Sequence, residues 1–472
     1  MAVAVFIRWA PRLASMLGAG LACLCLGCSP RSAPQLDGVI VIVLDTFRAD
    51  RLSIDGYPRE TTPALDALAN RGVLFEHAVS SAPWTLPSMI ALVTGQTPSK
   101  AVYANDVLLS SAVETLRDAG IHTVGFTEGG FFSSHYGFAR GFDEHQELDS
   151  KVQLILDGRT RPSAGGIEQT FAAAESWLRD APALPFFLLI HSYEPHLPYR
   201  RSLFSNDRPS GQLGRTFEDT DSKRIHLGAI ELGEVELAYL SDLYDGGVAF
   251  SDRHVGRLLG ALDDVGLADR VAVVVTSDHG EDLGGRFPRR AGEHGHALYD
   301  ELLRVPLILY NPLETYPVGR ISSQVRLVDV MPTVLDLFSL PPPSDTDAAG
   351  PWDGRSLVPM MRGEEAGDRV AFSQVMRKGP HRVSVRLNGY KLIEQVAGEG
   401  DRPVELYDLE RDRAERRNLA AHEPERVEEL APLLDEFLAQ LDARGAIDFR
   451  KVKSNALPEP LRNYLRALGY LD

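Results

Sequence analysis

The chain has 472 residues, 44% hydrophobic and 24% charged, enough for one large domain and a smaller companion. With 66 Asp and Glu against 49 Lys and Arg its formal charge is −17, which argues against nucleic acid as a partner, because phosphate backbones are held by fields of Lys and Arg. Its three cysteines, Cys23, Cys25 and Cys28, all precede the body of the chain, which therefore has neither disulfide nor thiol chemistry.

Residues 1–28 place Arg8 and Arg12 around the start of an apolar stretch, 13–27, that is short and glycine-rich for a membrane span and suits an export signal. Its end, Cys25-Leu26-Gly27-Cys28-Ser29, resembles a bacterial lipobox. That resemblance implies lipidation at Cys28, with Cys23 as a second candidate, and an exported protein held by lipid in the bacterial cell envelope, on the outer membrane or facing the periplasm. Residues 29–36 are a polar tether. From 37 to 340 strands and helices alternate, the signature of a doubly wound, mostly parallel α/β sheet flanked by helices. Strands are expected at 38–44, 122–126, 185–191, 271–276 and 305–310, and helices at 62–70, 87–93, 112–118, 168–178, 235–262 and 327–338. Residues 200–233 are polar and irregular, a loop or lid. A Pro/Asp-rich connection near 341–350 opens a small C-terminal α+β subdomain, 341–450, with strands in 382–392 and 404–409 and a charged helix, 423–441, expected to be a solvated face. A tail, 451–472, has no assigned element.

Chemistry concentrates where buried strands end. The near-continuous apolar runs 38–44 and 271–276 read as strands covered on both faces. Asp45 follows the first, and Asp278-His279 follow the second. Ligands bind off the carboxyl ends of such strands. Thr85 precedes Pro87, which suits the first turn of a helix, and Gly95 suits its end. A hydroxyl there is near free N–H groups that favour anions. Asp45, Asp278 and His279 thus read as ligands of one divalent cation, with Thr85 as the nucleophile and a further ligand to it. Oxygen and imidazole donors together suit Mn²⁺ or Zn²⁺ better than Ca²⁺. The plain alternatives are a capping threonine, a turn-capping aspartate and a hydrogen-bonded loop. Asp50, Asp245 and Asp329 read as structural residues, and His191 as buried in its strand.

Six ordered motifs resemble the sulfatase-like branch of the alkaline phosphatase superfamily: 43–50 (VLDTFRAD), 82–95 (APWTLPSMIALVTG), 140–143 (RGFD), 194–199 (EPHLPY), 277–281 (SDHGE) and 298–307 (LYDELLRVPL), with 405–409 (ELYDL) near the end. The resemblance implies a substrate-contacting or general-acid role for His196, and it places His294 and His296 near a substrate-binding position, with His296 as a further catalytic candidate. It also exposes departures. In sulfatases the position of Thr85 is the Cys or Ser of C/S-x-P-x-R, which is oxidised to formylglycine. Here the frame reads Thr85-Leu86-Pro87-Ser88-Met89, and threonine cannot become that aldehyde. The G-K-W-H element of sulfatases has no counterpart near 125–132, where Glu128 and His135 are the available side chains.

The expected activity is therefore metal-dependent hydrolysis or phosphoryl transfer on phosphate esters through a covalent Thr85 intermediate. The expected substrate is an anionic ester of a glycan, a lipid head group or a small molecule. Sulfate-ester hydrolysis without formylglycine is the alternative within the same fold. A non-catalytic surface binding protein is the alternative outside it.

Overall fold

Seven consecutive residues without a charged side chain, Gly38–Leu44, form the central strand β1, and all seven are buried. The computed structural model describes residues 35–148, 166–205, 212–314, 316–317, 319–341, 352–396 and 403–448. The export signal, the lipidation candidates and the tail lie outside the described residues.

β1 belongs to an eight-stranded sheet completed by β2 (Val73–Phe75), β3 (His122–Thr127), β4 (Glu144–Glu147), β5 (Phe186–Ser192), β6 (Val271–Thr276), β7 (Leu307–Tyr310) and β8 (Arg320–Ile321), in the order β8-β2-β7-β6-β1-β5-β3-β4. β1 is parallel to both β5 and β6, and β3 is parallel to β4 and β5. β7 is antiparallel to both its neighbours. Leu44 stands level with Ser192, and Val43 with Thr276, so β1, β5 and β6 end together.

Alternation along β1 sends its side chains into two cores. Val39, Val41 and Val43 pack with helices α2 (Thr85–Thr94) and α3 (Ala112–Asp118) on one face; Ile40, Ile42 and Leu44 pack with α1 (Pro63–Arg71), α4 (Gly166–Arg179) and α5 (Glu234–Asp264) on the other. A fully buried side chain of this kind contributes roughly 1.5–3 kcal/mol. On α4 the inward residues Phe171, Ala174 and Leu178 recur at helical spacing.

The second unit of structure is a four-stranded antiparallel sheet, β9 (Ala371–Val375), β10 (Arg382–Leu387), β11 (Tyr390–Gln395) and β12 (Val404–Asp408), covered by helix α6 (Pro424–Ala443). α6 is not simply a solvated face: Leu430, Leu434, Phe437 and Leu441 are buried along one side and pack on Val383, Val385 and Leu392. The small sheet is fastened by buried Lys391, whose ammonium lies 2.7 Å from Glu415 and 2.5 Å from Asp300. Arg386 meets the same Asp300 at 2.7 Å.

Some elements differ from expectation. Residues 305–310 do not make one strand, because Arg304–Val305 join a separate three-stranded sheet before β7 begins. The stretch expected as an irregular lid contains a helix, Asp219–His226. Asp329 accepts the Arg326 and Arg355 amides. Asp245 receives hydrogen bonds from Tyr57 Oη and the Arg59 guanidinium, both at 2.6 Å. Asp50 is clamped by Arg48. No helix among the described residues is long and apolar enough to cross a membrane.

Asp252 of α5 caps α1 from outside, accepting the amides of Ala64 at 3.0 Å and Leu65 at 2.8 Å. Burial raises its pKa to about 6 in spite of those donors. A carboxyl raised in this way favours folding while protonated, and the contribution fades as pH climbs from about 4 through 6. Asp252→Asn keeps an acceptor without the charge. Urea unfolding of the variant is expected to show a gain of about 1–3 kcal/mol over the parent at pH 8 and a smaller one at pH 5. A parent more stable than the variant at pH 8 would contradict this account.

Candidate active site

α2 carries Thr85 in its first turn. Its N-terminal neighbour Trp84 is extended, and at the far end Gly95 takes φ 65° and returns its amide to Ala91 at 3.0 Å. A Cβ at Gly95 would lie 2.5 Å from the Trp352 ring, so glycine is needed there for both conformation and space. All ten residues of α2 are buried, and the loop before it is braced by Ser88 Oγ donating to Ala82 O at 2.7 Å. The nucleophile candidate is therefore held by packing along a whole helix.

Three strand ends converge on it. Thr85 Oγ1 donates to Asp45 Oδ2 at 3.2 Å and lies 3.4 Å from His279 Nε2. His279 Nε2 is 3.3 Å from Asp278 Oδ2 and 3.8 Å from Asp45 Oδ1. Asp45, Thr85, Asp278 and His279 all have zero exposure. The loop after β1 is tied to the loop after β6: Ser277 Oγ accepts the Phe47 amide at 3.0 Å, and Asp278 Oδ1 accepts the amides of His279 and Thr46. Thr46 holds φ 59°, a left-handed conformation that costs a β-branched residue on the order of 1–3 kcal/mol. Its carbonyl is clamped by Tyr244 Oη at 2.6 Å.

The donor set fits a divalent cation. Asp45 Oδ1, Asp278 Oδ2 and both ring nitrogens of His191 are buried without a hydrogen-bond partner. Ligand atoms of Asp45, His191 and Asp278 lie within 4.8 Å of one another, a spread that one cation with bonds of roughly 2 Å can draw together. His279 contributes a second imidazole: its Nδ1 donates to Gly280 O at 2.8 Å, which leaves the Nε2 lone pair facing Thr85. Burial, followed by mutual repulsion, pushes the Asp45 carboxyl well above its ordinary range, and burial pushes Asp278 up to about 7. Burial likewise drives His191 and His279 down to about 3, so both imidazoles are neutral. Two carboxylates and neutral imidazoles in one pocket are the chemistry of a cation site with mixed oxygen and nitrogen donors.

His191 is where sequence reasoning fell short. It is buried in β5 as expected, yet its Nε2 lies 3.6 Å from Asp45 Oδ2. The signal was its position: β5 ends beside β1, so an imidazole at its penultimate position reaches the same edge. His294 packs against His279, and His196 packs against His294. The His294 ring is 4.5 Å from that of His279 and 5.1 Å from that of His196. Glu281, itself fully buried, sits 3.1 Å from His294 Nδ1 and accepts Tyr199 Oη at 3.0 Å. His296 is elsewhere: its Nε2 is 3.1 Å from Asp282 and its ring meets Phe287, and it makes no hydrogen bond or ion pair with Thr85, Asp45, Asp278 or His279. Glu128 accepts Ser192 Oγ at 2.6 Å, adding negative charge beside Asp45, whereas His135 packs against Tyr136.

Comparison with known proteins agrees with this architecture. The sulfatase family model matches residues 38–340, and a second model, the C-terminal region of N-sulphoglucosamine sulphohydrolase, matches 292–444. A Δ4,5-hexuronate-2-O-sulfatase of Bacteroides thetaiotaomicron is 26% identical across 90% of this chain and 93% of its own. An N-acetylgalactosamine-6-sulfatase of Canis lupus familiaris is 26% identical, covering 77% of this chain and 73% of its own. The crystal structure of a phosphonate monoester hydrolase of Agrobacterium radiobacter superposes with a TM-score of 0.65 at 21% identity, over 87% of this chain and 96% of that one, which shows the shared fold.

The geometry separates the histidines. Calorimetric titration with Mn²⁺ or Zn²⁺ is expected to show His191→Ala weakening affinity about tenfold to a hundredfold, with His296→Ala matching the parent. Equal loss in both variants would remove His191 from the cation site.

Proposed function

Because this chain belongs to the sulfatase family, we propose that it cleaves phosphate-type esters through a covalent intermediate on Thr85, with one divalent cation at Asp45, Asp278 and the imidazoles of His279 and His191. Family membership makes it a hydrolase of ester bonds, and this sets aside a purely binding role. The observation that carries the finer reading is the placing of Thr85 Oγ1, buried at a helix start and 3.2 Å from Asp45 Oδ2.

When bound, the cation supplies Lewis-acid polarisation of the ester and lowers the cost of ionising a hydroxyl. The residues supply the rest. Thr85 Oγ1 bonds to phosphorus as the bond to the leaving oxygen breaks, and its proton passes to Asp45 Oδ2. The start of α2 presents its dipole and amides to the transferred group's oxygens. His196 protonates the leaving oxygen and then deprotonates the water, or acceptor hydroxyl, that releases the group from Thr85, whose oxygen regains its proton from Asp45. Mn²⁺ or Zn²⁺ matches the mixed donor set better than Ca²⁺.

A second reading is sulfate-ester hydrolysis by unmodified Thr85. It is favoured by the relatives named as sulfatases. Against it stand Thr85 and Met89, which replace the residues of the formylglycine motif. The substrate class is in either case an anionic ester, of a glycan, lipid head group or small molecule. An exported, lipid-anchored chain, as Cys28 implies, would meet such esters in the bacterial envelope.

Aryl phosphomonoester, phosphodiester, phosphonate and sulfate esters, offered side by side to the Mn²⁺- or Zn²⁺-loaded protein, test the assignment. Phosphate-type esters are expected to turn over, and Thr85→Ala to lower the rate about a thousandfold or more while metal content is retained. Turnover of sulfate alone would replace the first reading by the second, and turnover independent of Thr85 would end both.

A further inference from the structure

Trp84 precedes the nucleophile, and its ring is covered by a cation from the other sheet. The Arg377 guanidinium lies 4.4 Å from the Trp84 ring centroid and 5.4 Å from that of Phe131. Arg377 follows β9, and β9 is stitched to the loop that leads into α2. Ser373 Oγ donates to Ser80 O at 2.6 Å, and the Gln374 amide donates to Ser81 O at 3.0 Å. On the far side, the Lys378 amide donates to Gly295 O at 3.2 Å, and the Lys378 ammonium is held by Glu293 at 3.1 Å.

Gly295 packs against this arginine in a left-handed conformation that glycine adopts freely. It holds φ 76°, and a Cβ there would lie 3.4 Å from Arg377 Cδ and 3.5 Å from Trp84 Cβ. The arginine is thus fixed by hydrogen bonds on both flanks and by its stack on an aromatic face, which orients the guanidinium plane. Gly295 directly follows His294, whose ring is 4.5 Å from that of His279, so Arg377 stands beside the loop that carries His294. In a chain of net charge −17, a cation packed on the ring of the residue before Thr85 is a local exception to the protein's overall field.

We propose that Arg377 anchors a second anionic group of the substrate, a carboxylate or another oxyanion next to the ester that Thr85 attacks, and so selects esters carrying more than one negative group. The planar fork of arginine matches such groups bidentately. The inference rests on the reading of Thr85 as the ester-cleaving residue, and it adds a specificity residue from outside the eight-stranded sheet.

The test compares two ligands sharing a phosphate ester and differing in a carboxylate, glycerol 3-phosphate and 3-phosphoglycerate. Binding is measured by calorimetry on the Mn²⁺-loaded Thr85→Ala chain, where neither is consumed. The readout is the ratio of the two affinities. 3-Phosphoglycerate is expected to bind more tightly, and Arg377→Met, which keeps the apolar stem over Trp84, to reduce that preference about ten- to a hundredfold. Arg377→Lys is expected to restore part of it. A parent without preference, or a preference unchanged in Arg377→Met, overturns the inference while leaving the Thr85 reading intact. Failure of the parent to bind either ester overturns the ester reading, and this inference with it.

Discussion

Everything at the centre of this protein follows from burying two carboxylates together. Asp45 and Asp278 have zero exposure, and among the described residues neither forms an ion pair with a lysine or arginine. Carboxylates so placed are costly unless something positive compensates them. The protein holds them in place by ordinary means, with backbone amides on Asp278 and a strained Thr46 clamped by Tyr244. A cation held between them would offset that cost, and the Thr85 hydroxyl lies 3.2 Å from Asp45.

Much of this was legible in the sequence, because the site lies where strong patterns end. The apolar runs of β1 and β6 cannot be anything but buried strands, and Asp45 and Asp278-His279 are the residues at which those runs stop. Helix α5 was equally plain, since its apolar residues recur at helical spacing along 31 residues. β4, Glu144–Glu147, is all polar, and its strand identity comes from pairing with β3 and not from its own side chains. β2 has three residues, too few for a period to show. What His191 is buried beside was hidden for a related reason. Periodicity says that a residue is buried; only the register of β5 against β1 says what it is buried beside.

The C-terminal sheet illustrates a second limit. Its hairpin strands and helix could be read from alternation and from leucine spacing, but its place could not. Lys391, Glu415 and Asp300 form a buried charge cluster across more than a hundred residues of sequence. No local pattern foretells such a partnership, because each member looks like a surface charge when read alone. That cluster, with the bonds from β9 to Ser80 and Ser81, sets the small sheet against the loop before Thr85.

The division of labour between the two sheets has a consequence for the order in which the protein is built. The eight-stranded sheet has all its strands once residue 321 has been made, and Asp45, Thr85, Asp278 and His279 are by then all on hand. β9 to β12 emerge only afterwards, between residues 371 and 408. A ribosome therefore releases the reacting groups before it releases the strand that braces the loop ahead of them. The chain acquires the candidate centre first and the strand that borders it last, so the growing protein holds the buried carboxylates before the segment that braces the loop ahead of Thr85.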